Sequence, residues 1–263
     1  MQPALAAHRL WLRPLLQNSA ATSAWARGFA LDTQGTQQLL ADLSKPPRSL
    51  QYDGRPPPIR EEIRQSFLGR MALKLLLYDN KWNQLVVGGQ VLYDAIKEQV
   101  DDGALHEAFG MDAGVFYSTY TLLSVHVWLV INRMSHRTDK EAQFFRQRFY
   151  NHFNTDVEKR IYAAGVQVGV SKWARKLENI FYSSSLSFDQ VLRREGTETM
   201  EGVVLREFFG NDTANIVQAR LLAKYLTHEL YCMQLTDESA VMQGRVQFSR
   251  EPFAAIRALR SPP

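Results

Sequence analysis

Apolar side chains recur along most of the chain at three- and four-residue spacing, the repeat of one face of an α-helix. Ile63, Phe67, Met71, Leu75 and Tyr78 form one such row, with charges between them, and predict an amphipathic helix ending near Asp79-Asn80. Further helices are predicted over roughly 90–100, 104–109, 114–135, 138–164, 171–194, 198–209 and 213–235. Within the fourth of these, Phe145, Phe149, Phe153, Val157 and Ile161 stand at strict four-residue intervals, so that row is assigned to the core. Gly88-Gly89 reads as a turn, and Gly165 and Gly169 read as breakers between helices or points of close contact. Alternating Val/Thr-rich runs are absent except at Gly244–Phe248, the one candidate strand. The expected fold is all-α, a single irregular multi-helix bundle preceded by an extended N-terminal presequence and tether.

The ends of the chain break the pattern. Residues 1–29 hold Arg9, Arg13 and Arg27, no acidic residue, and many small or hydroxylated side chains, the composition of a mitochondrial presequence. Arg27-Gly28-Phe29-Ala30 resembles a matrix-protease site, which places the mature start at Ala30; the bland alternative is an unstructured basic arm. Residues 30–64 read as a tether, with a short helix from about Thr36 to Leu43 and then Pro46, Pro47, Pro56, Pro57 and Pro58. Residues 65–240 form the expected helical domain. Residues 241–263, with Arg245, Arg250, Arg257 and Arg260 against Glu251, are expected as an extended, partly disordered basic tail.

Charge sharpens this picture. The whole chain carries a formal +4, but residues 1–29 contribute three of those charges. From Arg133 to Lys176 there are ten basic against four acidic residues, and from Leu186 to Ala240 five against nine. A basic face bearing Arg133, Arg137, Arg146, Arg148, Lys172, Arg175 and Lys176 is therefore a candidate contact for RNA phosphates, anionic lipid or an acidic protein, unless it is simply solvated. The 20 residues from Ala113 to Asn132 carry no formal charge, which raises a membrane span. Ser118, Thr119, Thr121, Ser124, His126 and Asn132 count against it, and the central helix of a bundle is favoured over a membrane-inserted role.

Catalytic chemistry is not in evidence. His228-Glu229-Leu230-Tyr231-Cys232 begins like a zinc-protease helix, but Cys232 stands where the second His is required, so no metal site and no cofactor is expected. Phosphate-binding loops, dinucleotide fingerprints and nucleophile elbows are missing, and Ser183-Ser184-Ser185 has no base beside it in sequence. One cysteine excludes an internal disulfide.

Four ordered blocks, SVHVWLVINRM at 124–134, RFYNHFNTDVEKRIYAAGV at 148–166, KLENIFYSSSLSFDQVL at 176–192 and LREFFG at 205–210, resemble the ubiquinol–cytochrome c chaperone family over roughly residues 65–240. The resemblance implies an all-helical, non-enzymatic assembly factor for respiratory complex III on the matrix side of the inner membrane. It also implies three partners: a small helical assembly factor, newly made cytochrome b, and the mitochondrial ribosome near its exit. The family motif falls here on His126, Trp128, Arg133, Phe153, Gly165, Phe181, Tyr182 and Asp189, with Phe188 where a Tyr is usual. An apolar face near Tyr117, His126, Trp128, Phe181 and Tyr182 is the candidate client groove, and the basic residues above are the candidate contact with rRNA or the inner-membrane surface. Two rivals stay open: a peripheral inner-membrane protein binding lipid or quinone along the uncharged helix, and a helical enzyme using His126 or His228.

Overall fold

The structure, a computed structural model, describes residues 33–54, 65–67, 71 and 80–253. The expected presequence and most of the helix predicted over Ile63–Tyr78 lie outside the described residues. Those described are helical and without a named strand. In chain order the helices are α1 (Thr33–Asp42), α2 (Lys81–Asp101), α3 (Ala104–Ala108), α4 (Phe116–Met134), α5 (Lys140–Ala163), α6 (Val170–Leu192), α7 (Met200–Phe209), α8 (Ile216–Gln234) and α9 (Glu238–Met242). Short 3₁₀ turns occupy Thr213–Asn215 and Glu251–Phe253.

Local chemistry sets the helix ends. Asn80, Asp139, Thr199 and Asp237 each accept a hydrogen bond from a first-turn backbone N–H, which satisfies donors that the helix leaves orphaned. Gly165 (φ 91°) and Gly169 (φ 75°) supply the left-handed backbone that stops α5 and starts α6, as the breaker assignment anticipated.

The turn expected at Gly88-Gly89 is absent, because α2 runs straight through both glycines. They are needed for proximity. A Cβ on Gly88 would lie 2.0 Å from the Met242 carbonyl oxygen, and one on Gly89 would lie 3.4 Å from the Phe149 backbone of α5. The pair lets α2 approach α5 on one side and the end of α9 on the other, at the cost of some helix propensity.

Helix α4 is the axle, packed by α2, α5, α6, α7, α8 and α9. Every residue from Tyr120 to Val130 is buried, which explains the uncharged run. Two of its buried polar side chains are satisfied: the Thr121 hydroxyl donates to the Tyr117 and Ser118 carbonyls, and His126 is bonded at both ring nitrogens. Among the described residues, no helix is long and apolar enough to cross a membrane. The phenylalanine row of α5 faces inward as predicted, and Phe145, Phe149, Phe153, Val157 and Ile161 are all buried. Full burial of such a side chain stabilises by roughly 1.5–3 kcal/mol.

The tether and the tail both depart from expectation. Leu39 of α1 and the following Leu43 and Leu50 are buried, and the chain from Gly244 to Phe253 is packed, with Val246, Phe248 and Phe253 in the core. The two segments bind each other antiparallel: Gln247 N donates to Leu50 O at 3.0 Å and Tyr52 N to Arg245 O at 3.1 Å. Alternation does this work. Val246 and Phe248 point inward while Gln247 stays half-exposed, so the weak strand signal at Gly244–Phe248 becomes one isolated bridge, Gln51 to Val246.

Candidate functional site

The aromatic residues expected to form a groove occupy three different environments. His126 is fully buried. Its Nδ1 lies 2.7 Å from Leu122 O, an acceptor only, so Nδ1 carries the proton and Nε2 accepts from the Tyr225 hydroxyl at 2.8 Å. The edge of Phe248 closes the third side, with ring centroids 4.9 Å apart. Burial lowers the imidazole pKa to about 4, against the opposing bond to Leu122. His126 therefore does not reach a client: the expectation of a groove residue gives way to a core hydrogen-bond relay between α4 and α8. It is also far from acid–base work, since both its partners are uncharged.

Trp128 is 2% exposed and likewise internal. Its Nε1 donates to Asp189 Oδ1 at 2.9 Å, Asn132 Nδ2 donates to the same oxygen at 3.2 Å, and its ring tilts against Phe188 at 4.9 Å. This fastens α4 to α6. Phe181 is buried among Tyr150 and Phe153. Tyr117 is half-buried beside Tyr120, and Tyr182 alone of the five stands clear, 54% exposed, one helical turn before the equally exposed Leu186.

A crevice does open beside these residues, between α4, α6 and α7. Trp128 and Phe181 form part of its wall, Ile180 and Phe208 its apolar rim, and Ser184 and Ser185 its narrow-waisted side. Its cavity volume is about 20 Å³, and it is lined almost wholly by apolar surface. That is room for about one water-sized group, so the crevice is a shallow apolar notch and not a ligand-sized pocket. Ser184 Oγ donates to Glu207 Oε2 at 2.7 Å, and Arg206 Nε bonds Glu207 Oε1 at 2.9 Å, which neutralises the buried carboxylate at the edge. The serine run is thus a spacing device: small side chains between Phe181 and Phe188 leave room where larger ones would close the wall. Tyr182 lies toward Tyr150 of α5, with ring centroids 5.8 Å apart, and Leu186 is exposed one turn further along α6.

The seven basic candidates also divide. Arg133 is 9% exposed and structural: Nε donates to Met233 O (2.8 Å), Nη2 to Thr236 O (2.9 Å) and Nη1 to Glu238 Oε1 (2.8 Å), so it caps the carbonyl end of α8. Arg137 pairs with Asp139 and Glu238, and the Arg137 guanidinium, aided by the Ala142 N–H, holds the Asp139 carboxyl down at about 2. Arg146 Nη1 donates to Arg137 O at 2.8 Å. These three are committed to joining helices and are removed from the basic contact face. Exposed positive charge remains at Arg148, which lies over the Phe144 ring, and at Lys172 and Arg175, with Lys176 over Trp173. The last three occupy the first two turns of α6, which has no acidic residue in its first turn.

A model of the family described as ubiquinol-cytochrome C chaperone matches residues 107–248, just over half of the 263. The chain belongs to the ubiquinol–cytochrome c chaperone family. No curated protein and no solved structure matches it.

The matched span of this chaperone runs from α3 through Phe248, later at both ends than the resemblance over 65–240 indicated, and so takes in the packed C-terminal strap. Within it, His126, Trp128, Arg133, Phe153, Phe181 and Asp189, onto which the resemblance carried the family motif, hold helices together. The crevice residues Ile180, Ser184 and Phe208 were not singled out by spacing, and only the small-residue run between two aromatics hinted at them.

Proposed function

We propose that this chain is a non-enzymatic assembly chaperone for respiratory complex III that holds newly made cytochrome b. It acts near the exit of the mitochondrial ribosome, on the matrix side of the inner membrane, with a small helical partner. The observation that carries the reading is the family match over the same helices that enclose the apolar crevice. In this reading the crevice seats only the tip of one apolar side chain of a client helix, while Tyr182 and Leu186 add contact area along α6. Lys172, Arg175 and Lys176 supply attraction to an anionic surface, rRNA or lipid headgroups. Cations at a helix N-terminus oppose the macrodipole, and an anion docked there relieves that opposition.

The test is affinity purification from mitochondria with pulse-labelled translation products. Wild-type chain should recover labelled cytochrome b, and Ser185→Leu, which fills the crevice, should lower that recovery severalfold without changing the melting temperature. Ribosome recovery in the same purification should fall as salt is raised and fall further in Lys172→Ala/Arg175→Ala. Undiminished capture by Ser185→Leu would remove the crevice from the reading, and salt-indifferent ribosome recovery would remove the basic end of α6.

A further inference from the structure

Helix α8 carries a second cluster, outside the crevice. His228 and Cys232 are four residues apart and share a helix face, with Nε2 and Sγ separated by 3.4 Å. One donor atom from each of His228, Glu229 and Cys232 falls within 4.8 Å of the others. Glu229 is fully buried; its Oε2 accepts from Ser249 N at 3.1 Å, and its Oε1 has no hydrogen-bond partner. Cys232 is fully buried as well, and its sulfur receives the Arg48 backbone N–H at 3.4 Å. His228 is half-exposed and gives the cluster its route to solvent.

We infer that His228, Glu229 and Cys232 form a zinc-type divalent-metal site that braces the two extended segments of the chain against α8. Imidazole nitrogen, thiolate sulfur and carboxylate oxygen are the three donor types zinc uses. Metal–ligand bonds of about 2.0–2.3 Å put tetrahedral donors roughly 3.5 Å apart. The His228–Cys232 pair already stands at that separation, and the other separations in the trio, all within 4.8 Å, exceed it by no more than about 1.3 Å. A thiolate and a carboxylate balance a divalent charge, so the loaded site buries no net charge. The orphaned Glu229 oxygen gains a partner, and a water entering past half-exposed His228 would complete the coordination.

The second layer fixes the structural role. Ser249 holds the Glu229 carboxylate and the Arg48 N–H holds the Cys232 sulfur, so the ligands of one helix are oriented by the N-terminal and C-terminal segments at once. A missing second histidine removed the zinc-protease pattern, but the thiol at that same i+4 position restores a donor.

The experiment uses the full chain stripped of metal and titrated with Co²⁺, then with Zn²⁺. A thiolate-to-cobalt charge-transfer band should grow to one equivalent, disappear on addition of Zn²⁺, and be accompanied by a higher melting temperature. Cys232→Ser should abolish the band. His228→Gln, at a half-exposed position where the fold tolerates it, should weaken cobalt binding by about tenfold or more while keeping the metal-free circular dichroism. Absence of the band and of any melting shift at stoichiometric metal overturns the site, as does unweakened binding by His228→Gln, which would leave only a thiol–imidazole hydrogen bond.

Discussion

His126 stays neutral in the folded chain because its surroundings offer the imidazole one carbonyl, one hydroxyl and a phenyl edge, and no anion. Its pKa of about 4 lies below the unfolded value of 6.5, so the unfolded chain takes up a proton that the native state refuses. The contribution is intact above pH 6.5 and is lost as pH falls toward 4, by roughly 3 kcal/mol in all. Urea melts at pH 7 and pH 4.5 should show this loss, and the slope between them should flatten in His126→Leu; an unchanged slope would reassign the acid sensitivity to other groups. The sequence placed His126 on a helix and left its role open between client groove and catalysis. The deciding partner, Tyr225, lies 99 residues away, a distance across which spacing carries no information. The Phe145–Ile161 row was legible for the opposite reason, since its meaning is contained in its own helix.

At the scale of elements, α2 illustrates what local propensity misreads. Two adjacent glycines favour a turn when only the unfolded alternatives are weighed, yet packing overrides this, because α9 and α5 come close enough to need bare backbone. The two positions differ in kind. Gly88→Ala forces its methyl onto the Met242 carbonyl and should cost about 2 kcal/mol, within the usual penalty for overpacking. Gly89→Ala makes only a snug contact with Phe149 and regains helix propensity worth about 1 kcal/mol, so its melting temperature should match or exceed wild type. Equal destabilisation by the two changes would refute this assignment of the contacts. Arg133 gives the same lesson in charge: a basic count along 133–176 is correct, but only the fold shows that this guanidinium faces the carbonyl end of α8 rather than a partner.

Over the whole molecule, the feature least visible in sequence is the pairing of residues near 50 with residues near 246. Prolines and arginines on either side look like linker composition, and a two-residue alternation is too short to stand out. Phe248→Ala should therefore cost about 3–5 kcal/mol, the usual range for a phenylalanine lost from a core, although it falls in what composition marks as a tail. A variant within 1 kcal/mol of wild type in chemical denaturation would contradict the packing. The strap also dictates an order of events. His126 and Tyr225 are covered by Phe248 and Phe253, and Gln51 meets its bridge partner Val246 only after nearly 200 further residues have been added. A chain delivered N-terminus first cannot close that seam by local contacts, and loop closure over such a span comes late in folding. Until Val246 to Phe253 arrive, the apolar surface around His126 and Tyr225 stands open, so this chain has its own need for shelter while it is being made.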